Sequence, residues 1–426
     1  MRQPVVVSRS AAGRRGDHRR RHVDGLLVQY SARHQHDEDE RRLRANGARL
    51  TPVVQSSGPV PARYRSEYSR VEAEVDGFAT RAGAPPAHPS TVVGTELLAA
   101  NGNIGAGLLG PQAISGVISQ LEAFKALGVE GVTVNVSFPL LLSSTPDSSR
   151  YLSFYEQVAA QVRSRHMVLS VEENPVFSGT PLTSLSISYS GLTLASYAVE
   201  QREEAQVIID DLSPSYLLLL TEPDTFSDML NIDLDTPAAA VELVDDELDG
   251  LNRGRTEVGA GTGMWTTPAV DQALLSQTAI DYLDVHVYPL GPAQIDSLIA
   301  DVGAADAAHK KLVMDETWLE KPTSTEGTGS QGAPDELKLN SYRFWEPLEE
   351  RFVTAMVRYA RSHAFAYVSF FDGARAFFGF LSWSAQLEAA SYETFTRKCD
   401  QLVAGNMRRL YVLGTGIALS DAIRTR

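Results

Sequence analysis

The stretch YLLLLTEP at residues 216–223 places four leucines in a row and follows them with a glutamate and a proline. A short apolar run that ends at such a boundary is typical of a parallel strand buried on both faces. Seven further short runs share this character, and helical patterns separate most of them. The eight predicted strands span residues 91–96, 131–137, 166–172, 216–222, 257–261, 282–288, 311–316 and 365–371.

Strands that alternate with helices indicate a parallel sheet, and eight such units predict an α/β fold that is one (β/α)8 TIM barrel. A doubly wound open sheet is the alternative. The barrel is favoured because the strands are evenly spaced and no glycine-rich phosphate-binding loop follows the first strand. The glycines within residues 102–107 lack the spacing of that motif.

Composition divides the chain into four predicted regions. Residues 1–66 are predicted to be a disordered Arg-rich extension, residues 67–90 a linker, residues 91–405 the barrel, and residues 406–426 a C-terminal tail. The first fifty residues hold 12 Arg and six acids, whereas the whole chain carries −15, so the remainder is strongly acidic. An acidic body argues against nucleic acid as a partner, because neutralising phosphates needs Lys and Arg on the folded surface.

Other general features restrict the class of protein further. The single cysteine, Cys399, excludes a disulfide framework and a cysteine-based zinc site. No run of 18 apolar residues occurs, so no membrane-spanning helix and no membrane partner are expected. No signal peptide is visible at the N-terminus, and both localisation and oligomeric state stay open.

Acidic residues follow most of the predicted strands. The active site of a (β/α)8 enzyme lies at the C-terminal ends of its strands. A single carboxylate there can simply cap the next helix, but acids at most of the strand ends indicate an acidic site. These acids are Glu96, Glu172, Glu222, Asp284, Glu316 and Asp372.

Two of these acids stand on opposite sides of the predicted barrel mouth. Glu222 ends strand 4 and Glu316 ends strand 7, so their carboxyl groups can converge across a small barrel. Cleavage of a glycosidic bond needs such a pair, with one carboxyl protonated to assist the leaving group and the other ionised. The sequence therefore predicts a glycosidase.

At these positions the chain resembles the superfamily of retaining glycoside hydrolases with (β/α)8 barrels, which includes cellulases, mannanases, galactanases and β-glycosidases. That superfamily carries its acid/base Glu after strand 4 in an Asn-Glu-Pro-like motif, and its nucleophile Glu after strand 7. Thr221-Glu222-Pro223 and Asp315-Glu316-Thr317-Trp318 match those two positions. His286-Val287-Tyr288 resembles the segment whose tyrosine hydrogen-bonds the nucleophile.

The resemblance implies a retaining O-glycosidase that degrades an oligo- or polysaccharide without a cofactor or a metal. In it, Glu222 is the acid/base, Glu316 the nucleophile, and Tyr288 orients the nucleophile. The chain departs from the superfamily where Thr221 replaces the Asn, and where strand 2 offers Asn135 instead of an Arg. Seven residues are candidate sugar contacts: Thr221, His286, Trp318, Trp265, Glu96, Asn135 and Glu172.

Two other functions stay open. The acids at the strand ends, together with His286, would also suit a hard divalent cation, as in a metal-dependent barrel sugar isomerase or epimerase. No HxH or ExxH pair at ligand spacing supports that site in the predicted barrel. The third function is a non-catalytic carbohydrate-binding barrel that keeps the fold and the groove.

Overall fold

The computed structural model describes residues 6–7, 50–53, 57–83, 90–180, 182–288, 290–321 and 338–425. Within them, eight parallel strands close into one barrel, which confirms the predicted (β/α)8 fold and excludes the open sheet. The strands pair in chain order, and the eighth pairs with the first. They are β1 (Val92–Glu96), β2 (Gly131–Asn135), β3 (Val168–Glu172), β4 (Tyr216–Leu220), β5 (Glu257–Gly263), β6 (Tyr282–His286), β7 (Lys311–Thr317) and β8 (Tyr367–Phe370).

Helices surround the barrel. The α-helices among the described residues are α1 (Arg65–Arg81), α2 (Ala113–Leu127), α3 (Ser148–Ser164), α4 (Leu194–Val207), α5 (Pro223–Leu230), α6 (Pro237–Leu248), α7 (Pro268–Gln277), α8 (Pro292–Ala307), α9 (Glu346–Ser362), α10 (Gly373–Phe378), α11 (Ala385–Glu388), α12 (Tyr392–Arg409) and α13 (Gly414–Arg424). A π-helical turn at Ile208–Leu212 extends α4. No helix of the described part is both long and apolar enough to cross a membrane.

Shorter elements complete the chain. Two pairs of two-residue strands form, in which Val6–Val7 pairs with Ile187–Ser188, and Thr51–Pro52 pairs with Tyr411–Val412. The short 3-10 helices are Ala62–Tyr64, Leu98–Ala100, Gly102–Leu109 and Arg343–Trp345.

The lower half of the barrel interior is apolar. Leu218, Tyr282, Val313 and Tyr367 form one fully buried cluster, and each lies on a different strand. Space there is tight, because a Cβ atom added to Gly259 would lie 2.1 Å from the Tyr282 ring. The interior is therefore a packed core, and any chemistry is restricted to its upper end.

The stretch predicted as a linker contains a helix. Helix α1 occupies most of residues 67–90, because Val71, Val75 and Phe78 recur at helical spacing and are fully buried. Its charged face pairs with α9, where the Arg351 guanidinium lies 2.9 Å from Glu72. Most of residues 1–66, predicted to be disordered, lies outside the described residues.

The predicted tail also belongs to the folded unit. Helix α13 lies against α9, which precedes β8, and against α2, which follows β1. It therefore occupies the position between these two helices. The Arg361 guanidinium donates to the backbone oxygens of Ala422 and Ile423 at 2.6 Å and 3.0 Å. The Ser420 hydroxyl donates to the Leu127 carbonyl at 2.6 Å. Residues 414–424 thus complete the ring of helices around the barrel.

Candidate active site

The inward-facing positions of the strands change from apolar to acidic toward the barrel mouth. On β6, Tyr282 belongs to the apolar cluster, whereas Asp284 and His286 lie two and four residues further on. Above the cluster, Asp315 accepts hydrogen bonds from Thr133 at 3.0 Å and Ser170 at 2.9 Å. This buried polar layer supports the side chains at the mouth.

Glu222 stands at the junction between β4 and α5. Pro223 occupies the first turn of α5 and its fixed φ suits a helix start, so the chain turns directly after the glutamate. The Thr225 hydroxyl donates to Glu222 Oε2 at 2.7 Å. His286 Nδ1 lies 3.0 Å from Glu222 Oε1, and the Tyr288 hydroxyl donates to the same oxygen.

Glu316 reaches the mouth because β7 is irregular at this point. The pairing of β7 with β8 shifts between Met314 and Thr317, and such an irregularity re-aims a side chain. Asp315 can therefore face the buried polar layer while the next residue, Glu316, faces the mouth. There Glu316 interacts electrostatically with Tyr288 and Glu222.

Tyr288 lies beside both predicted catalytic acids. Its hydroxyl donates to Glu222 Oε1, and its phenolic oxygen interacts with the charge of Glu316. The resembled superfamily has this hydrogen bond on the nucleophile, whereas here it is made to Glu222, the predicted acid/base. The charge of Glu222 also raises the pKa of Glu316, so the two carboxyl groups belong to one site.

The surroundings move the pKa values of these acids in opposite directions. Burial alone would raise the pKa of Glu222, but the hydrogen bond and charge of His286, with hydrogen bonds from Tyr288 and Thr225, lower that pKa below its usual value. Burial and repulsion from Glu222 raise the pKa of Glu316 to about 8, although the charge of His286 opposes the change. Of these two acids, the proton is therefore favoured on Glu316 at neutral pH.

His286 is the cation of this site. Its side chain is buried, and its Nε2 atom lies 3.2 Å from Asp284 Oδ2 and 3.1 Å from the Thr221 hydroxyl. Burial would lower the pKa of His286, but the charge of Asp284, with the hydrogen bond of Glu222, raises it well above its ordinary value. Thr221, which stands where the resembled superfamily has Asn, therefore contacts the imidazole.

Glu96 and Glu172 each have an asparagine partner. The Asn101 amide donates to Glu96 Oε1 at 3.0 Å, and the Asn174 amide donates to Glu172 Oε2 at 3.1 Å. Burial and their mutual repulsion raise the pKa of Glu96 well above its usual value, and burial also raises the pKa of Glu172. Both acids belong to the mouth, as predicted.

The predicted aromatic residues form one wall of the site. The Tyr288 ring lies between Trp265 and Trp318, with centroid distances of 4.8 Å and 5.0 Å. Trp265 Nε1 donates to Asp224 at 2.9 Å, which fixes that indole. Phe371, after β8, extends the wall with its ring 6.2 Å from that of Trp318.

The remaining predicted contact, Asn135, is buried and makes a local hydrogen bond. Its Oδ1 atom accepts from the Ser137 hydroxyl at 2.6 Å, and it pairs in register with Glu172 on the adjacent strand. The structure thus brings every predicted site residue to one end of the barrel. Its contacts do not assign a sugar-binding role to any of them.

Several residues of the site were not predicted. Asn101, Asn174 and Thr225 lie in loops or a short helix, and each orients a carboxylate. Asn174 follows Glu172 by two residues, and that spacing is the available sequence indication.

Asp372 is one of the acids that the sequence places at the strand ends. It begins α10 and lies 3.2 Å from the Arg375 guanidinium, so part of its charge is neutralised within its own helix.

Within the described ranges, no group of three or more His, Cys, Asp or Glu side chains is arranged to hold a metal ion. The carboxylates at the mouth instead receive hydrogen bonds from protein donors, such as Thr225 and Asn174.

Comparison with known proteins gives structural similarity only. No protein-family model matches the sequence, and no curated protein matches it either. An exo-β-1,4-mannosidase from an Opitutaceae bacterium is 14% identical, with 75% of this chain and 60% of that chain covered and a TM-score of 0.47. GH5_18 from Streptomyces cattleya is 14% identical, with 78% and 80% covered and a TM-score of 0.45. A GH30 endoxylanase from Clostridium papyrosolvens is 10% identical, with 76% and 73% covered and a TM-score of 0.41.

Proposed function

We propose that this protein is a glycoside hydrolase that cleaves its substrate with retention of the anomeric configuration. The observation that carries the proposal is the pair of acids at the barrel mouth, in which Glu222 accepts from Tyr288 and Thr225 and its charge raises the pKa of Glu316. Retention is inferred from the resembled superfamily, in which the acids after strands 4 and 7 act as acid/base and nucleophile, with carboxyl groups about 5–5.5 Å apart.

In the proposed reaction, two displacements occur at the anomeric carbon. Glu222 gives its proton to the glycosidic oxygen while a Glu316 oxygen bonds to the anomeric carbon, and the leaving sugar departs as an alcohol. In the second step, Glu222 takes a proton from water, the water oxygen bonds to the same carbon, and Glu316 is released as a carboxylate. Trp265 and Trp318 offer flat apolar faces to the sugar ring.

These roles require the proton to change place before the first step. The opposite pKa shifts favour the proton on Glu316, whereas the proposed acid is Glu222. A bound substrate must therefore reverse this preference. The reverse assignment, with Glu316 as the acid and Glu222 as the nucleophile, is favoured by the pKa shifts and by the Tyr288 hydrogen bond to Glu222.

The first experiment follows the anomeric configuration of the initial product by proton NMR, with a panel of chromogenic aryl glycosides as substrates. Retention supports the proposal, whereas inversion, or no turnover of any member of the panel, overturns it.

A 2-deoxy-2-fluoro glycoside of the best substrate configuration then traps the covalent intermediate. The labelled peptide identifies the nucleophile. Label on Glu316 supports the roles given above, and label on Glu222 reverses them. Rescue by azide of the alanine variant of the other acid confirms its role as the acid/base.

A further inference from the structure

Three oxygen atoms beside the catalytic pair lack a hydrogen-bond donor. Glu96 Oε2 and Asn174 Oδ1 are buried and have no partner among the described residues. Glu172 Oε1 has His286 Nε2 at 3.9 Å, which is too long for a hydrogen bond. Glu96 and Asn174 are 5% and 8% exposed, so surface water does not easily satisfy them.

The three oxygens belong to side chains that interact at the mouth. Asn174 donates to Glu172, and the charge of Glu172 disfavours ionisation of Glu96. These side chains also adjoin the proposed reaction centre, since Glu96 and Glu172 both interact with Glu316 and His286.

The arrangement fixes the direction of the unused oxygens. Asn101 and Asn174 each bind one oxygen of a carboxylate, which holds each acid in one orientation and leaves its other oxygen available. Buried acceptors without donors destabilise an empty protein, and the loss is recovered if a ligand supplies the donors. Two cationic side chains nearby already face other acids, because His286 lies 3.2 Å from Asp284 and Arg375 lies 3.2 Å from Asp372.

We propose that the sugar bound beside the catalytic pair carries a free amino group, and that Glu96, Glu172 and Asn174 receive the three N–H donors of its ammonium form. An ammonium group has three donors and no acceptor. Its charge opposes the effect of burial on the pKa of Glu96 and Glu172, so binding favours the ionised forms that accept its hydrogen bonds. A sugar hydroxyl has one donor and no charge, and an acetylated amine loses the charge. This inference deepens the proposed function and rests on it for the position of the sugar.

The test compares amino sugars with their neutral parents on the wild-type protein by titration calorimetry. Glucosamine, galactosamine and mannosamine are titrated beside glucose, galactose and mannose. At least one amino sugar is expected to bind 10-fold or more tightly than its parent, and its N-acetyl derivative to lose that advantage. Equal or weaker binding of all three amino sugars, including no measurable binding, overturns the inference.

Variants locate the effect. Glu96→Gln and Glu172→Gln are each expected to reduce the preference for the amino sugar over its neutral parent to about threefold or less. Glu173→Gln is the matched control, because Glu173 is the next residue after Glu172 but interacts with Glu204 and Glu247 instead. An unchanged preference in both E96Q and E172Q, with normal unfolding curves, would place the amine elsewhere and overturn the inference.

The two proposals fail in distinguishable ways. Tight binding of an amino sugar with no turnover of any glycoside would refute the proposed hydrolase and leave the amine site standing. Turnover of neutral glycosides, with amino and parent sugars bound equally, would leave the hydrolase standing and refute the amine site.

Discussion

Glu172 and Glu173 are neighbours at the end of β3, and they belong to two different groups of buried acids. Glu172 belongs to the mouth, near His286. Glu173 interacts instead with Glu204 of α4 and Glu247 of α6, in a group that we call the helix-facing acids: Glu173, Glu204 and Glu247. Both carboxylate oxygens of Glu173 and of Glu247 lack a hydrogen-bond partner in the described part of the chain.

The comparison shows that burial alone does not make a site. Burial raises the pKa of all three helix-facing acids well above the usual value, so all three are driven toward the same neutral state. At the mouth, His286 adds a charge and Tyr288 a hydrogen bond to Glu222, so the pKa of Glu222 falls, while burial and repulsion from Glu222 raise that of Glu316. Acid/base chemistry needs two acids in different protonation states, and only the mouth has them among these two groups.

The largest effect should come from removing either acid of the mouth. Glu222→Gln and Glu316→Gln are each expected to lower kcat/KM roughly 10³-fold or more, because each loses a proton donor or a nucleophile. The measurement is initial-rate kinetics with an aryl glycoside. In the other group, E173Q should stay within about threefold of wild type; a comparable loss there would remove the distinction between the two groups.

The second prediction concerns the charge that separates the two pKa values. The wild-type profile of kcat/KM against pH should have an alkaline limb near the Glu316 pKa of about 8 and an acid limb below the usual glutamate range. His286→Gln removes a cation that lowers both pKa values, so both limbs should move to higher pH, the acid limb by roughly one unit. A profile whose acid limb does not move would show that His286 does not control Glu222.

The third prediction tests the helix-facing acids through stability. The folded protein binds the Glu247 proton more tightly than the unfolded chain, so this residue costs stability as pH rises from the usual glutamate range through its raised folded pKa. Glu247→Gln should therefore raise the free energy of unfolding, relative to wild type, by roughly 1–3 kcal/mol more at pH 8 than at pH 5. Urea unfolding at the two pH values measures this difference. Glu242→Gln, at an exposed position of the same helix, should give no such difference.

The smallest effect is expected from a chelator. Treatment with EDTA should leave kcat/KM unchanged, because protein donors such as Thr225 and Asn174 already bind carboxylate oxygens at the mouth. Loss of activity that a divalent cation restores would favour the metal-dependent isomerase or a related metal enzyme instead.

The fold was predictable because it depends on local periodicity. Each barrel strand is a short apolar run, and each boundary falls within a few residues of its prediction. Helix α1 was also predictable in principle, since Val71, Val75 and Phe78 recur at helical spacing. The proline-rich stretch that follows the helix, at residues 82–90, favours a linker instead.

The site was predictable only in part. The positions of Glu222 and Glu316 follow from strand order, which a sequence reveals. The Asn101 and Asn174 contacts depend on loop conformation, and the opposite pKa shifts depend on distances between residues more than 60 positions apart, such as Glu222 and His286. Neither a loop path nor such a distance can be read from spacing along one chain.

The aromatic wall of the mouth makes the intrinsic tryptophan fluorescence of the protein sensitive to a bound sugar. Two of the four tryptophans of the chain, Trp265 and Trp318, flank Tyr288, whereas Trp345 is fully buried near α1. A sugar ring that stacks on the first two replaces water at their faces and shifts their emission to shorter wavelength, while Trp345 supplies a constant background. Occupancy of the mouth can therefore be followed by intrinsic fluorescence, without a label and without turnover.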